Sequence, residues 1–360
     1  MTFERENVRR LAGYVPGEQP TRAVAKLNTN ENPFPPSDAV RAALKEVDGE
    51  MLRHYPDPTA WAFRTEAARL HGLTPDHIIA TNGGDELLRL ALTTFLPPGA
   101  PLGLADPSYS LCPVLAAIHG SPKYAVPLHA DWSAPADIPR RWNKARAKLA
   151  ILVNPHAPSG RLTSVDELAA IARAFKGVLV IDEAYVDFVD PEISHNTIGL
   201  VSEFDNVLLL RTMSKGYSLA GLRLGYGIGS PGLIAPMLSK TKDSYNVDAV
   251  AQKLGEAALR HRAEAVRTWE YVRAERSRMV RELSARGFAC APSQANFLLA
   301  TVPGSSGTAE GLLRRLAGEG IFVRWFNQDR LRDSLRISIG TQDENSALLT
   351  AVDGLMQGGV

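Results

Sequence analysis

Lys215 closes an apolar run, NVLLLRTMSK (206–215), and GYSLAGLRLG follows it. Thr212 and Ser214 stand just before it and Arg223 shortly after. A lysine amine condenses with an aldehyde to form an imine, and two hydroxyls with a guanidinium suit a phosphate. An isolated lysine is usually a surface charge, so the catalytic reading comes from the company this one keeps. Asp182 closes a second apolar run, GVLVIDEAY (177–185). An aspartate there can cap a helix, bind a metal or pair with a protonated ring nitrogen. A metal needs more converging ligands than the segment supplies. Tyr185 shares that loop and could reach a phenolic oxygen on the same ring, while Glu183 reads as structural or functional alike.

An aldehyde, a basic ring nitrogen and a phosphate occur together in pyridoxal phosphate, whose protonated ring accepts the electron pair left by proton loss. Gly83-Gly84-Asp85-Glu86 precedes the helical run LLRLAL. Glycine permits close backbone approach, and helix N-terminal amides favour a phosphate. Glycine turns before helices are common, however, and neither GxGxxG nor GxxxxGK[ST] is present. Tyr109, after PLGLADP, can stack on an aromatic cofactor or fill the core. Asn154, after AILV, can offer its amide to a phenolic oxygen or simply belong to the stiff turn made by Pro155, Pro158 and Gly160. Arg336 in LRISIG could clamp a carboxylate through two parallel bonds. Arg324 is the next anion-binding candidate, and both could equally be surface arginines.

Most of these residues follow short apolar runs, read as strands at 77–81, 101–107, 123–128, 148–155, 177–185, 206–215 and 222–229. Helical spacing falls between several of them: 38–49 with Asp38 as N-cap, 60–72 ending near Gly72, a helix after Gly84 that stops before Pro97, and 164–175 with Ser164 and Glu167 as a capping box. Such alternation predicts α/β layers on a mainly parallel sheet, with ligands beyond the C-terminal strand ends. A long charged helical region at 246–286 follows. Strands at 296–302 and 334–340 then flank a helix at 310–320, which predicts a smaller α+β domain. The expected division is an arm at 1–35 shared with the small domain, a large domain at 36–245 and the small domain at 246–360.

The 360 residues suffice for two domains. Forty basic against 39 acidic residues leave a net charge of +1, so no broad field attracts nucleic acid. In the helical region glutamates alternate with the arginines, which suits a solvated face. Cys112 and Cys290 lack metal spacing and read as buried thiols of a reducing compartment. MTFERENVRR has no apolar core, and no run approaches the ~18 apolar residues of a membrane span. The expectation is a cytoplasmic protein without metal, membrane or nucleic-acid partners.

Taken together, the segments resemble the aspartate-aminotransferase superfamily of pyridoxal-phosphate enzymes, fold type I. RTMSKGYSLAGLRLGY (211–226) is similar to its SK…GLRxGY segment, LVNPHAPSG (152–160) to NPxxPxG, and VIDEAYVDF (180–188) to the segment carrying the ring-nitrogen aspartate. LNTNENPFPPS (27–37), RHYPDP (53–58), TNGGDELL (81–88) and RISIG (336–340) resemble the histidinol-phosphate aminotransferases within it. The resemblance implies a three-layer α/β/α large domain, a homodimer with shared active sites, and amino transfer from histidinol phosphate to 2-oxoglutarate, giving imidazole-acetol phosphate and glutamate in histidine biosynthesis. It implies that Lys215 binds the aldehyde, Asp182 the ring nitrogen, and Tyr185 and Asn154 the phenolic oxygen. Gly84, Asp85, Thr212, Ser214 and Arg223 would surround the phosphate, Tyr109 would stack on the ring, and Tyr55 would reach the phosphate from the other subunit. Arg336 would bind the glutamate carboxylate, Arg324 with Tyr14 the phosphate of histidinol phosphate, and Asn32 would lie near substrate. His156-Ala157 and Gly216-Tyr217-Ser218 depart from the common NPNNPTG and SKAFGLAG patterns. Aromatic amino-acid aminotransferases and threonine-phosphate decarboxylases are the rival relatives. A transcription regulator built on the same domain would need an added DNA-binding segment.

Overall fold

The structure is a computed structural model that describes residues 3–357. Its centre is a seven-stranded sheet in the order 78–81, 225–229, 207–212, 178–182, 149–153, 102–106, 123–127. Only Gly225–Gly229 runs antiparallel to its neighbours. The inner strands are almost entirely buried, as a sheet covered on both faces requires. Alternate residues enter opposite layers. Leu179, Ile181, Val207 and Leu209 join the core that holds Phe63, Trp142 and Phe188. Val180, Leu208 and Leu210 join the one that holds Leu87, Leu88 and Leu115. Helices cover both faces, so the domain has the expected three layers.

Local chemistry explains the ends of the elements. Gly72 terminates helix Trp61–His71 in the left-handed conformation, and Ser164 with Glu167 forms a reciprocal capping box on Val165–Ala174. Two expectations need correction. The N-cap of Asp38–Lys45 is Ser37, whose hydroxyl accepts from the Val40 N–H, and Asp38 is the first helical residue. The chain then leaves the helix and re-enters a short one, Gly49–Leu52, capped by Asp48. The helical region at 246–286 is likewise two helices, Ala249–Arg260 and Arg262–Ala285, broken at His261 (φ −108°, ψ 33°).

Beyond them an antiparallel sheet in the order 324–325, 334–338, 297–301, 289–290 packs with helices Ala309–Gly318 and Gln342–Gln357. The arm is mostly irregular, but Ala25–Lys26 pairs in parallel with Ile321–Phe322. It therefore lies against the C-terminal sheet, where Ser338 N–H donates to the Leu27 carbonyl, and reaches the C-terminal ends of the large sheet's strands at Lys215 and Tyr185.

Candidate active site

The C-terminal ends of the parallel strands open on a cavity of about 270 Å³. Strand Val178–Asp182 delivers Asp182 to it, and the following loop delivers Tyr185. Strand Val207–Thr212 delivers Thr212, and its exit turn Ser214 and Lys215. The antiparallel strand begins just past Arg223, so the arginine returns to the same end of the sheet. Helix Gly83–Phe95 points its N-terminus there with Gly84 and Asp85, and Tyr109 follows strand Leu102–Asp106. From the other side come Arg324 and Arg336 on the small sheet, and Tyr14 on the arm.

Hydrogen bonds hold this lining in place. Thr212 Oγ1 donates to Ser214 Oγ at 3.0 Å, and Arg223 Nη1 donates to the same hydroxyl at 3.3 Å. Tyr109 donates to Asp85 at 3.2 Å, and its ring meets Tyr14 edge-on with centroids 5.9 Å apart. Lys215 Nζ donates to the Thr29 carbonyl at 2.9 Å. Burial pulls this amine down to about 8, helped by the Arg336 guanidinium. Burial pushes Asp182 up to about 7; the Ala184 N–H opposes this, and the Asp85 and Glu183 carboxylates add to it. Arg336 donates to the Asn28 carbonyl at 2.8 Å, while its buried Nε has no partner. Arg324 is tied to the arm through the carbonyls of Val15 and Pro16.

Three observations fit the residues to a phosphorylated pyridine aldehyde and an anionic substrate. Asp182 is 5 % exposed, and the only hydrogen bond its carboxylate receives from a described residue is the Ala184 N–H at 3.1 Å, so it has capacity for a cationic N–H. At Gly83 (φ 73°) an added Cβ would lie 2.7 Å from Arg223 Nη2, so the cup at the helix end needs a residue without a side chain. The orphan Nε of Arg336 is a donor awaiting an anion.

Three expected site residues do not line the cavity. Asn154 is fully buried, with Nδ2 donating to the Thr163 carbonyl at 3.1 Å and Oδ1 accepting the Thr163 N–H at 2.7 Å. Its amide braces the proline loop. Asn32 donates to the Gly216 carbonyl at 3.3 Å and to Thr268 at 3.1 Å, so it holds the turn after the lysine. Tyr55 is 81 % exposed and stacks on Tyr245 with centroids 4.4 Å apart, away from its own chain's cavity.

Asn30, which the sequence did not single out, does line the cavity and donates to Tyr185 Oη at 3.1 Å. The one available signal was weak: asparagine is among the few residues that readily adopt the left-handed backbone found here (φ 56°). Both sequence departures also have structural counterparts. His156 is buried between the Pro107 carbonyl at 2.8 Å and Ser159 Oγ at 2.7 Å, which bolts the proline loop to the Tyr109 loop. Gly216 gives way to Asp187, because a Cβ there would lie 2.3 Å from Asp187 Oδ2. Among the described residues no cluster of three His, Cys, Asp or Glu side chains could hold a metal, and no helix is long and apolar enough to cross a membrane. Cys112 is buried, as expected, whereas Cys290 is partly exposed.

The family model for aminotransferase class I and II matches residues 22–352. Histidinol-phosphate aminotransferase 1 of Trichormus variabilis is 40% identical over 357 residues, 99% of each chain. The histidinol-phosphate aminotransferase of Synechocystis is 41% identical over 359 residues, again 99% of each. Among solved structures, that of histidinol-phosphate aminotransferase from Sinorhizobium meliloti, in complex with pyridoxal-5'-phosphate, superposes with a TM-score of 0.91 at 25% identity, covering 99% of this chain and 98% of that one.

Proposed function

Because the chain belongs to the aminotransferase class I and II family, we propose that it is a pyridoxal-phosphate-dependent histidinol-phosphate aminotransferase. It moves the amino group of histidinol phosphate to 2-oxoglutarate, yielding imidazole-acetol phosphate and glutamate, in histidine biosynthesis. The observation that carries this is the convergence of Lys215, Asp182 and a hydroxyl-and-guanidinium cup on one cavity that also exposes two small-domain arginines. The matching relatives at about 40% identity support the substrate.

When bound, pyridoxal phosphate supplies an aldehyde that bonds covalently to amines and a protonated ring that takes up an electron pair. Lys215 holds the aldehyde at rest. Its amine, which burial brings down to about 8, would accept the substrate α-proton at Nζ and return it, because a base near neutral is best suited to both transfers. Asp182 keeps the ring nitrogen protonated: a buried carboxylate with a cationic partner is held ionised. Thr212, Ser214, Arg223 and the helix start at Gly84–Asp85 bind the cofactor phosphate. Tyr109 would pack on the ring, and Tyr185 would bind the phenolic oxygen. Arg336 takes the carboxylate of glutamate, and Arg324 with Tyr14 the phosphate of histidinol phosphate. An arginine pair can serve the phosphate-bearing amine and the dicarboxylate in turn, since a guanidinium grips either anion through two bonds. The enzyme acts in the cytoplasm as a homodimer in which Tyr55 reaches the partner's cofactor phosphate.

A donor panel tests the assignment. With pyridoxal phosphate and 2-oxoglutarate added, histidinol phosphate is expected to give a kcat/KM at least ~100-fold above aromatic amino acids or threonine phosphate, about 2.7 kcal/mol of discrimination. Equal or better turnover of an aromatic amino acid would overturn it.

A further inference from the structure

Asn30 sits in the cavity wall 1 % exposed, and four hydrogen bonds define its orientation. Its backbone N–H donates to Ser338 Oγ at 2.9 Å, and that hydroxyl donates back to Asn30 Oδ1 at 2.9 Å. A hydroxyl has one proton. Among the described residues the Ser338 proton has no acceptor besides Asn30 Oδ1, so the arrangement that satisfies this buried hydroxyl sets the oxygen end of the amide toward Ser338. The nitrogen end therefore faces Tyr185 and donates to Oη at 3.1 Å. Asn296 closes the frame by donating to the Asn30 carbonyl at 3.0 Å. A phenol that accepts one hydrogen bond keeps its own proton for another acceptor and gives it more readily.

We propose that Asn30, oriented by Ser338, is a positioning residue that makes Tyr185 a committed hydrogen-bond donor to the phenolic oxygen of the cofactor. This rests on the pyridoxal-phosphate assignment. Ser338 and Arg336 lie on the same strand two residues apart, hence on one face. The clamp on Asn30 and the anchor for the substrate anion thus belong to one rigid element. Asp182, Arg336, Tyr14 and Tyr109 also face Tyr185, and the Phe297 ring meets it edge-on with centroids 4.9 Å apart. Lys215 is faced by Arg336, Glu31, Arg223 and Lys26. None of these fixes the direction of the Tyr185 proton as the Asn30 amide does.

A donor at the phenolic oxygen stabilises its anion and weakens the hold of the neighbouring lysine-linked nitrogen on its proton. The test is a pH titration of the absorbance of the cofactor-loaded protein without substrate. Tyr185→Phe is expected to raise the apparent pKa of the lysine–cofactor linkage by about one unit. Asn30→Asp keeps the shape but turns an acceptor toward Tyr185 and recaptures its proton, so it raises the pKa comparably, and Asn30→Ala raises it less. In the Tyr185→Phe background the Asn30 substitutions add little. The proposal is overturned if the Asn30 variants leave the pKa in place while Tyr185→Phe moves it. It is overturned equally if their shift persists undiminished in the Tyr185→Phe background, which would mark a bare charge or fold effect. Should the Asn30 variants not fold, Ser338→Ala frees the amide and is read by the same two criteria. If the wild type shows no lysine-linked cofactor absorbance at all, the functional assignment falls and takes this proposal with it; a normal wild-type titration with unmoved Asn30 variants sinks the proposal alone.

Discussion

Asp182 is buried with a single donor, and burial pushes it from an ordinary 3.8 up to about 7. Between those values the folded chain keeps a proton that the unfolded chain has released. Protons therefore favour the folded state, and this group's contribution to stability falls as pH rises through that window. Asp182→Asn removes the liability. Without cofactor the variant is expected to melt several degrees above the parent at pH 8 and level with it near pH 4. Its turnover should fall roughly hundredfold or more, as the ring proton loses its counter-charge. Thermal melts at the two pH values, beside an activity assay, check both halves; a melting difference that ignores pH contradicts the first. Asp182 and Lys215 were legible in the sequence because each closes an apolar run, and Arg223 because it stands shortly after Lys215 in the same segment. The amides were not. Asn30, Asn32 and Asn154 share one side chain, and which of them faces the cavity depends on partners met only in the fold, such as Ser338 for Asn30 at a separation of 308 residues and Thr268 for Asn32 at 236.

The elements were legible where a local rule sets their ends. Gly72 and the Ser164 box stop and start helices by their own chemistry, and the sheet strands fall within a few residues of their apolar runs. The break at His261 was not legible, since neither proline nor glycine marks it. The proline loop shows how one residue can govern an element. Burial holds His156 down to about 4, against an ordinary 6.5, so it is neutral near pH 7. Its Nε2 proton then goes to the Pro107 carbonyl, and Nδ1 accepts from Ser159. As pH falls from 6.5 toward 4 the unfolded chain takes up a proton that the folded one refuses, so stability drains away in that window. His156→Gln is expected to make the acid limb of a melting-temperature profile shallower. It should also cost about 1–2 kcal/mol at pH 7.5, because the carbonyl and the hydroxyl lose a fitted partner. An acid limb as steep as in the parent would assign the sensitivity to other groups, such as His71.

At the scale of the molecule, composition and alternation indicated layers, but not how the arm and the small sheet close over the cavity. That closure depends on pairings such as Ala25 with Ile321, which no local pattern announces. The surface carries a related message. Leu52, Tyr55, Trp61 and Tyr245 are all at least 45 % exposed, and Tyr55 is stacked in place by Tyr245. If subunits share sites as proposed, Tyr55→Phe weakens cofactor retention, and mixing it with inactive Lys215→Ala restores part of the activity in hybrid dimers. No recovery after proven subunit exchange would refute the sharing. The parallel pairing of Ala25–Lys26 with Ile321–Phe322 bears, finally, on how the molecule is born. On the ribosome the segment that docks on Lys215 emerges early and must wait, unpaired, for a strand translated near the end. The large sheet can form while synthesis continues, but the wall of the cavity can be sealed only after the small sheet has left the exit tunnel.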